Sequence, residues 1–580
     1  MLHKIHIPVM GICYTVDSPI RVAPFGISSV ISLVDDGLLE EYRMAYAERE
    51  GVDVGAPEHE RVGRIRAYLD FVAREVECRF EALQALRIRG GLQPQFSTGS
   101  ASGPNDKDRY FLMLPADSPL LREYEQVCAK QGMARIGAEV NLTSKMEVGE
   151  IQANIMVNLN HMDAALDAVQ GFATSKIRGS LVLSAGINLG VFEELAKHEC
   201  FFRHDGVAPA KKIILKVSDY RSALTQGRYL AKKGLEVYEY RIESGVNCGG
   251  HAFCSAHGLL PDVLKEFVER KQELFEATRK EIEKFAERGM AKEGDTGKTS
   301  ARDIVETFAK IVPPSAPARI TAQGGLCTAE EVSQVISIGA DGVGVGTPFL
   351  MVPQATSCDR DTRRRLATAT PADVRLSHAS PLGIPFMNLL TSTAAELCRE
   401  KMKRMQFDGD FGFPCTQHYL CRNVPGFDHP ICMASREYVR HRLAEIDALE
   451  TAELKTLENA TEAETRGVRE KCNAWRLETL ERECICRFLG NAGREELRER
   501  NPSLHYDNRE IAAARSQNPL KRGPVTICPG PNIAYFDREY TLLEMIQHLY
   551  GTGPCLTPAD KPHAFDIERK LLEEFLKKSI

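Results

Sequence analysis

Glycines stand at the ends of two consecutive apolar runs in the middle of the chain. In the stretch ITAQGGLCTAEEVSQVISIGADGVGVGTPFL, Gly324 and Gly325 follow the first run, and Gly346 and Thr347 follow the second. Glycine lets backbone N–H groups approach a phosphate closely, and two such loops side by side form a phosphate-binding cup. We therefore predict that these residues, with the preceding Gln323, bind a phosphate group. The alternative is that the glycines only make tight turns between strands and helices.

A histidine follows a third run of the same kind. In the segment ESGVNCGGHAF, Gly249, Gly250 and His251 come after the run VYEYRI. Imidazole has a pKa near neutrality, so a histidine at a strand end can transfer protons to or from a bound substrate. His251 is therefore a candidate general acid or base, and a structural histidine is the alternative.

The chain around these residues alternates β-branched runs with amphipathic stretches, which is typical of parallel strands covered by helices. Thr328 and Glu331 predict a capping box, and Gly339 predicts the end of that helix. A strand at 21–27 and a poorly defined second strand would complete a closed ring. We predict an α/β fold, a (β/α)8 barrel over residues 1–370, in which the last two strand-end loops are neighbours. The other predicted strands are 151–158, 180–187, 212–218, 237–242, 319–322 and 342–346.

Residues 51–148 interrupt this pattern, and we predict that they form a helical insertion in the barrel. A long charged helix should cover about residues 58–86, before a loop rich in Gly, Ser and Pro at 90–104. The segment DRYFLML at 108–114 is a candidate strand. After the barrel, residues 371–580 are predicted to form a second, mainly α-helical and cysteine-rich domain.

Two parts of this second domain have a helical pattern. Residues 436–483 alternate acidic and basic side chains, with Leu and Ala at helical spacing. This pattern predicts two solvated helices, whose surface could also serve as a homodimer contact. The segment FDIERKLLEEFLKKSI predicts a short amphipathic helix.

Ten of the 17 cysteines follow the predicted barrel pattern. Cys415, Cys421 and Cys432 lie in the loop-like segment FPCTQHYLCRNVPGFDHPIC, and Cys484 and Cys486 lie in ECICRFLG. Chain that contains Pro and Gly can wrap an iron–sulfur cluster, so these five cysteines are candidate metal ligands. Zinc would favour a C-x2-C pair, which the segment lacks. Reduced, buried cysteines are the third alternative.

The barrel motifs resemble those of the nitronate monooxygenase family, also called the 2-nitropropane dioxygenase-like family, which includes flavin-dependent enoyl-ACP reductases. The resemblance covers about residues 20–355 and rests on GGH, GG and GT after the last three strands. It implies an oxidoreductase with non-covalently bound FMN, in which His251 removes the proton α to a nitro group. The segment VAPFG resembles the family's first strand, which lies against the flavin. The residues that the resemblance assigns to the cofactor are Ala23, Pro24, Phe25, Gly26, Asn158, Gly249, Gly250, Gln323, Gly324, Gly325, Gly346 and Thr347.

The spacing of the C-terminal cysteines suggests a second resemblance. Its first interval, C-x5-C, is similar to the cluster segment that follows the FMN barrel of glutamate synthase. An iron–sulfur cluster here would imply a reductase that takes electrons from NAD(P)H or from a protein donor. Two other classes stay open: a barrel that binds a phosphorylated ligand without flavin, and a non-catalytic redox sensor.

Composition limits the partners that we expect. A net charge of −6 gives no basic field for nucleic acid, so a small-molecule substrate is favoured. The sequence has no secretory signal pattern and no run of about 18 apolar residues, so we expect no membrane span. These features, and many cysteines without a disulfide pattern, predict a cytoplasmic protein.

Overall fold

Eight parallel strands form a closed barrel in the computed structural model. The structure describes residues 3–85, 106–131, 144–157, 162–244, 251, 258–292, 311–403, 411–415, 417–457, 461–501 and 523–578. The barrel strands are β1 (Ile5–Ile7), β2 (Ser28–Ser32), β3 (Ile151–Ile155), β4 (Ser180–Leu183), β5 (Lys212–Val217), β6 (Glu239–Glu243), β7 (Arg319–Gln323) and β8 (Gly342–Gly344). The predicted (β/α)8 barrel is therefore confirmed.

The strand pairing fixes which residues meet at each end of the barrel. Strand β1 closes the ring against β8, with Ile5 opposite Val343. At the other end of these strands, Gln323 of β7 pairs with Gly344 of β8. Because all strands are parallel, their carboxyl ends form one rim, which we call the C-terminal rim. The six strands predicted from residue 151 onward correspond to β3–β8.

Helices cover the outside of the barrel. Thr328 accepts a hydrogen bond from the Glu331 backbone N–H, and the predicted capping box is present. Gly339 ends that helix with a φ of 122°. The helices of this part are Ser18–Val22, Asp36–Glu50, Met162–Thr174, Leu189–Leu195, Tyr220–Ala231, Leu260–Glu269, Lys271–Lys292, Ala329–Ile338 and Thr347–Leu350, with 3-10 turns at Ala23–Phe25 and Glu199–Phe201.

The predicted first strand at 21–27 is wrong. This stretch is the end of the helix Ser18–Val22 followed by the 3-10 turn Ala23–Phe25. Both elements carry a proline in their first turn, where its fixed φ suits a helix and its missing N–H would leave a gap in a strand ladder. The first strand is instead β1, which has three buried residues.

The insertion is helical where the structure describes it. The predicted charged helix is Arg61–Ala85, and the loop at 90–104 lies almost wholly outside the described residues. The strand predicted for DRYFLML is wrong, because the segment forms the helix Asp106–Met113. Two aspartates in the first turn favour that helix end. Its aromatic residues pack on the following helix, Pro119–Lys130, where Phe111 stacks on Tyr124.

The C-terminal part is mainly helical, as predicted. The two charged helices of residues 436–483 and the amphipathic helix near the end of the sequence are confirmed. A two-stranded antiparallel sheet, β9 (Val374–Ser377) with β10 (Phe386–Leu389), was not predicted. The helices are Arg360–Ala367, Thr393–Lys403, Arg436–Thr456, Glu462–Leu480, Ile485–Arg500, Leu542–Tyr550 and Ala564–Lys578, with 3-10 turns at Pro371–Asp373 and Pro531–Tyr535.

The C-terminal part packs directly against the barrel. One continuous apolar core contains barrel residues together with Ile527, Met545 and Leu549. Arg494 forms a buried ion pair with Asp35 at 2.9 Å, between the helix Ile485–Arg500 and the start of the helix Asp36–Glu50. The domain boundary at 370 and the homodimer contact stay predictions. Over the described part of the chain, no helix has the length and apolar character needed to cross a membrane.

Candidate functional site

The two predicted glycine loops lie side by side at the C-terminal rim. Gly324 and Gly325 directly follow β7, and Gly346 and Thr347 follow β8. Gly324 and Gly325 have φ values of 120° and 72°, a region that only glycine adopts at little cost. Because β7 and β8 are paired neighbours, the two loops can contact one bound group together. We call these four residues the phosphate cup.

A third loop, which follows β1, also contacts the phosphate cup. A Cβ atom added to Gly346 would lie 3.3 Å from Met10 Sδ and 3.5 Å from Pro8 Cγ. Gly346 is therefore needed for the close approach of these two chain segments. The sequence IHIPVMG gives a signal for this loop, because a short apolar run is followed by Pro and Gly.

The segment Ala23–Gly26 lies at the opposite end of the barrel. It precedes β2, so it belongs to the amino-terminal end of the strands. The Ala23 carbonyl accepts a hydrogen bond from Gly149 N at 2.8 Å, just before β3. A Cβ on Gly26 would meet the Glu147 carbonyl and the His3 ring. We therefore leave Ala23, Pro24, Phe25 and Gly26 out of the proposed cofactor site.

A segment from the C-terminal part covers the phosphate cup. The Gly530 N–H donates to Thr347 Oγ1 at 3.0 Å, and the Asn532 side-chain amide donates to the Gly325 carbonyl. A Cβ on Gly530 would lie 2.5 Å from Thr347 Oγ1, so only glycine fits. We call residues 530–532 the covering segment. The Pro and Gly residues of TICPGPN are typical of a turn, and nothing in this sequence indicates contact with the cup.

The inside of the barrel is polar on one side. Arg241 of β6 pairs with Glu239 at 2.6 Å and also donates to Gln152 Oε1 at 3.1 Å. The Thr321 hydroxyl donates to Glu239 at 2.6 Å. Burial, together with the positive charge of Arg241, lowers the pKa of His6 well below its usual value, so His6 is neutral. In the sequence VYEYRIE, charged and apolar residues alternate, and this pattern is typical of a strand with one polar face.

One ion pair of this polar face lies at the rim end of the strands. Lys216 Nζ is 3.0 Å from Glu243 Oε1, and these side chains are only 7% and 3% exposed. The Gln323 amide also donates to Glu243, and Gln323 is in side-chain hydrogen-bond contact with buried His6. Gln323 therefore links this ion pair to His6 inside the barrel.

Removing the cation of this pair should strongly destabilise the barrel. We expect Lys216→Met to lower the free energy of unfolding by about 3–5 kcal/mol, because the Glu243 carboxylate stays buried without its cation. Lys197→Met is the matched control, since Lys197 pairs with Glu194 at 2.6 Å but is 67% exposed. We expect Lys197→Met to lower the free energy of unfolding by less than about 1 kcal/mol. Urea unfolding followed by circular dichroism measures both, and equal losses would contradict the prediction.

His251 lies between the barrel and the β9–β10 sheet. Its Nε2 is 2.8 Å from Ser380 Oγ, and its ring packs on Phe386 with centroids 4.9 Å apart. Ser380 is fully buried, and its Oγ also accepts from Leu382 N at 3.2 Å. The sequence analysis did not anticipate Ser380, because its partner is 129 residues away. Asn158, Gly249 and Gly250 lie outside the described residues.

Three solved structures illustrate the proteins to which the chain is similar. FabK from Thermotoga maritima is 11% identical, with a TM-score of 0.37, over 99% of this chain and 96% of that chain. The enoyl reductase domain of MlnA from Bacillus amyloliquefaciens is 13% identical, with a TM-score of 0.34, over 80% and 88%. Nitroalkane oxidase from Streptomyces ansochromogenes is 11% identical, with a TM-score of 0.28, over 67% and 76%.

At these identities and TM-scores, the similarities carry no argument about function. Neither a protein-family model nor a curated protein sequence matches the chain. The strand pairing of this protein establishes its fold, and its function has to be argued from its own residues.

The five predicted metal-binding cysteines come together in space. Cys421, Cys432 and Cys484 are buried in one cluster, with Cys415 half-buried against it. Cys486 lies close enough to Cys415 and Cys484 for their charges to interact. Burial raises the pKa of Cys484 to about 11, so this thiol stays protonated at neutral pH without a metal. The sequence analysis missed one member of the group, His418, which contacts two of the sulfur atoms.

Proposed function

We propose that this protein is an FMN-dependent oxidoreductase that acts on a small molecule at the C-terminal rim. The observation that carries the proposal is the pairing of Gln323 with Gly344, which places the two glycine loops next to each other. The family resemblance assigns the FMN phosphate to these same loops. A phosphorylated ligand without flavin would also fit the loops, and it is the second outcome of the experiment below.

The residues of the rim fit such a cofactor in three respects. The cup has two glycines in the left-handed region, which brings backbone N–H groups close to a ligand. Gln323, at the end of β7, places a buried polar side chain next to the phosphate cup. Lys216 supplies a buried positive charge at the same end of the barrel. The phosphate cup would hold the phosphate, and Gln323 and Lys216 would contact the polar edge of the ring system.

His251 would move the proton in this reaction. When bound, the flavin accepts or gives a hydride or single electrons at N5. Ser380 Oγ can accept from Nε2–H of His251, which orients the imidazole ring, and Nδ1 would take a proton from a substrate carbon or return one. Phe386 packs on the ring and limits its rotation. Ser380 and Phe386 are therefore positioning residues for His251.

The family resemblance supports two substrate classes. A nitronate-type monooxygenase uses oxygen and an alkyl nitronate and needs no NAD(P)H. A reductase consumes NAD(P)H with an unsaturated thioester. We place the monooxygenase first because a base at the rim can form the alkyl nitronate from a neutral nitroalkane by removing the proton α to the nitro group.

The absorption spectrum of protein purified without air tests the cofactor, together with flavin, iron and sulfide assays on the same sample. We expect flavin bands and about one FMN per chain. Colourless protein that binds a phosphorylated ligand would replace the proposal with a flavin-free barrel, and colourless protein without ligand would overturn both. If flavin is present, oxygen uptake with an alkyl nitronate identifies a monooxygenase. NAD(P)H oxidation with an unsaturated thioester identifies a reductase.

A further inference from the structure

A cysteine–histidine–cysteine group in the C-terminal part has the dimensions of a single metal site. Cys415 Sγ is 3.7 Å from His418 Nδ1 and 4.0 Å from Cys421 Sγ, and Cys421 Sγ is 3.8 Å from the same nitrogen. In tetrahedral zinc sites with Zn–S near 2.3 Å and Zn–N near 2.0–2.1 Å, ligand atoms are about 3.5–3.8 Å apart. One ion can therefore contact all three atoms.

A fourth ligand comes from the other strand of a short hairpin. Arg422 and Ile431 form an antiparallel bridge, with backbone hydrogen bonds of 3.1 and 2.9 Å in the two directions. This bridge sets Cys432 opposite Cys421, and the Cys432 thiol interacts with Cys415, although it lies outside the 4.8 Å group that the other three ligand atoms form. Cys415, His418, Cys421 and Cys432 would together supply a Cys3His set, which we call the four-ligand group.

The backbone of His418 is a second, independent observation. Its φ is 56°, and only one other non-glycine residue of the described chain, Asp205, has a positive φ. This conformation is costly for a residue with a Cβ, and such strain is typical of sites where a ligand holds the residue in place. It directs Nδ1 toward the Cys415 and Cys421 sulfur atoms, although the His418 side chain is exposed. Coordination of an ion would offset the strain.

We propose that the four-ligand group binds one structural zinc ion. Its ligand spacing is C-x2-H-x2-C-x10-C, so the short x2 interval typical of zinc sites is present, with a histidine in the middle position. With Cys432 as the fourth ligand, protein atoms would fill all four coordination positions, as in structural zinc sites and unlike catalytic ones. Zinc binding here does not depend on the proposed flavin chemistry.

The distances favour one ion over a cubane iron–sulfur cluster. In a cubane cluster each thiolate binds a different iron atom, so the sulfur atoms stay apart by the width of the cluster. Cys415 and Cys421 are too close for that arrangement. Cys484 and Cys486 then act as buried neighbours of the site, beside Phe413 and the two ligand thiols.

Zinc would also stabilise the segment that positions His251. The cluster around the four-ligand group includes Cys484 and Phe488, at the start of the helix Ile485–Arg500. The adjoining Glu483 N–H donates to the Ala379 carbonyl at 2.8 Å, next to Ser380. Metal binding closes the loop from Cys415 to Cys432 and adds to folding stability.

Metal analysis of the full-length protein tests the proposal directly. We expect about one zinc per chain and no acid-labile sulfide in wild-type protein. Replacement of zinc by Co²⁺ should give the visible d–d bands of tetrahedral thiolate coordination. Iron with matching sulfide, or folded protein without any metal, would overturn the proposal. Metal and sulfide analysis does not depend on flavin, so its result is independent of the proposed function.

Variants then test the ligand set. His418→Ala should weaken zinc binding by more than the roughly 10–100-fold that loss of an outer partner costs. His429→Ala is the matched control, an exposed histidine in the same hairpin that hydrogen-bonds Asp428. Cys484→Ser should keep its zinc. The assignment would be overturned if His418→Ala bound zinc as tightly as wild type, or if Cys484→Ser lost its zinc.

A further measurement on wild-type protein tests the ligand set even if the variants fail to fold. Chelator treatment of wild-type protein should release the zinc and make Cys415, Cys421 and Cys432 reactive toward an alkylating reagent, as read by mass spectrometry. Buried Cys472, on the helix Glu462–Leu480, is the matched internal control and should stay unlabelled. Equal labelling of the ligand cysteines before and after chelation would contradict the proposal.

Discussion

Gly325→Glu is expected to give a folded protein that retains no flavin. Gly325 has a φ of 72° at the end of β7, so a side chain costs about 1–2 kcal/mol in the backbone alone. The larger effect comes from the glutamate carboxylate, which would stand where the phosphate is proposed to bind. Two negative charges at this rim repel each other more strongly than in water. The flavin-to-protein ratio after gel filtration should therefore fall to near zero.

Gly206→Glu provides the control for this prediction. Gly206 has a φ of 80°, lies in an exposed turn, and has no heavy atom within 4 Å of an added Cβ. The variant introduces the same backbone strain and the same charge away from the rim. Circular dichroism should show both variants folded, with flavin retained only in Gly206→Glu. Normal flavin retention by Gly325→Glu would place the phosphate elsewhere.

His251→Ala is expected to lower the chemical step by roughly 10²–10⁴-fold while flavin stays bound. The reason is the loss of the group that takes or gives the proton at the substrate carbon. A neutral nitroalkane needs this deprotonation, but its nitronate anion has already lost the proton. The variant should therefore lose turnover with the nitroalkane much more than with the nitronate. Oxygen uptake under both conditions measures the ratio.

Two further variants separate catalysis from folding. Ser380→Ala should reduce turnover less than His251→Ala and shift the pH profile, because the Ser380 hydroxyl would act on the reaction only through its hydrogen bond to the histidine. His378→Ala is the matched control, since this exposed histidine is two residues away and pairs with Glu478. It should behave like wild type. Unchanged turnover and an unchanged pH profile in His251→Ala would remove that residue from the mechanism.

Most strands of the barrel and one helix cap could be predicted from the sequence. Strands β3–β8 each have a β-branched run, and Thr328 with Glu331 encodes a complete capping box. The same local signals failed at β1, where the polar residues His3, Lys4 and His6 interrupt the apolar ones. They failed again at DRYFLML, where packing against Tyr124 decides in favour of a helix.

The candidate site was predictable where it depends on local sequence and not where it depends on distant contacts. Gly325 and Thr347 follow their strands directly, so the strand pattern located them. Ser380 and Asn532 reach the rim from remote parts of the chain, and no spacing rule connects them to it. His418 was missed for a different reason: only cysteine pairs were considered at the x2 interval.

The covering segment also sets an order of events during synthesis. The Gly530 N–H donates a hydrogen bond to Thr347 Oγ1, and Thr347 lies 183 residues earlier in the chain. At roughly 5–20 residues per second, a ribosome needs about 10–40 s to make that stretch. During this interval the glycine loops have been made but the covering segment has not. The phosphate cup of the nascent barrel is then exposed to chaperones and to free cofactor. If the phosphate cup binds FMN as proposed, the cofactor would enter before Asn532 is made, and its release from the finished protein would require local opening of the covering segment.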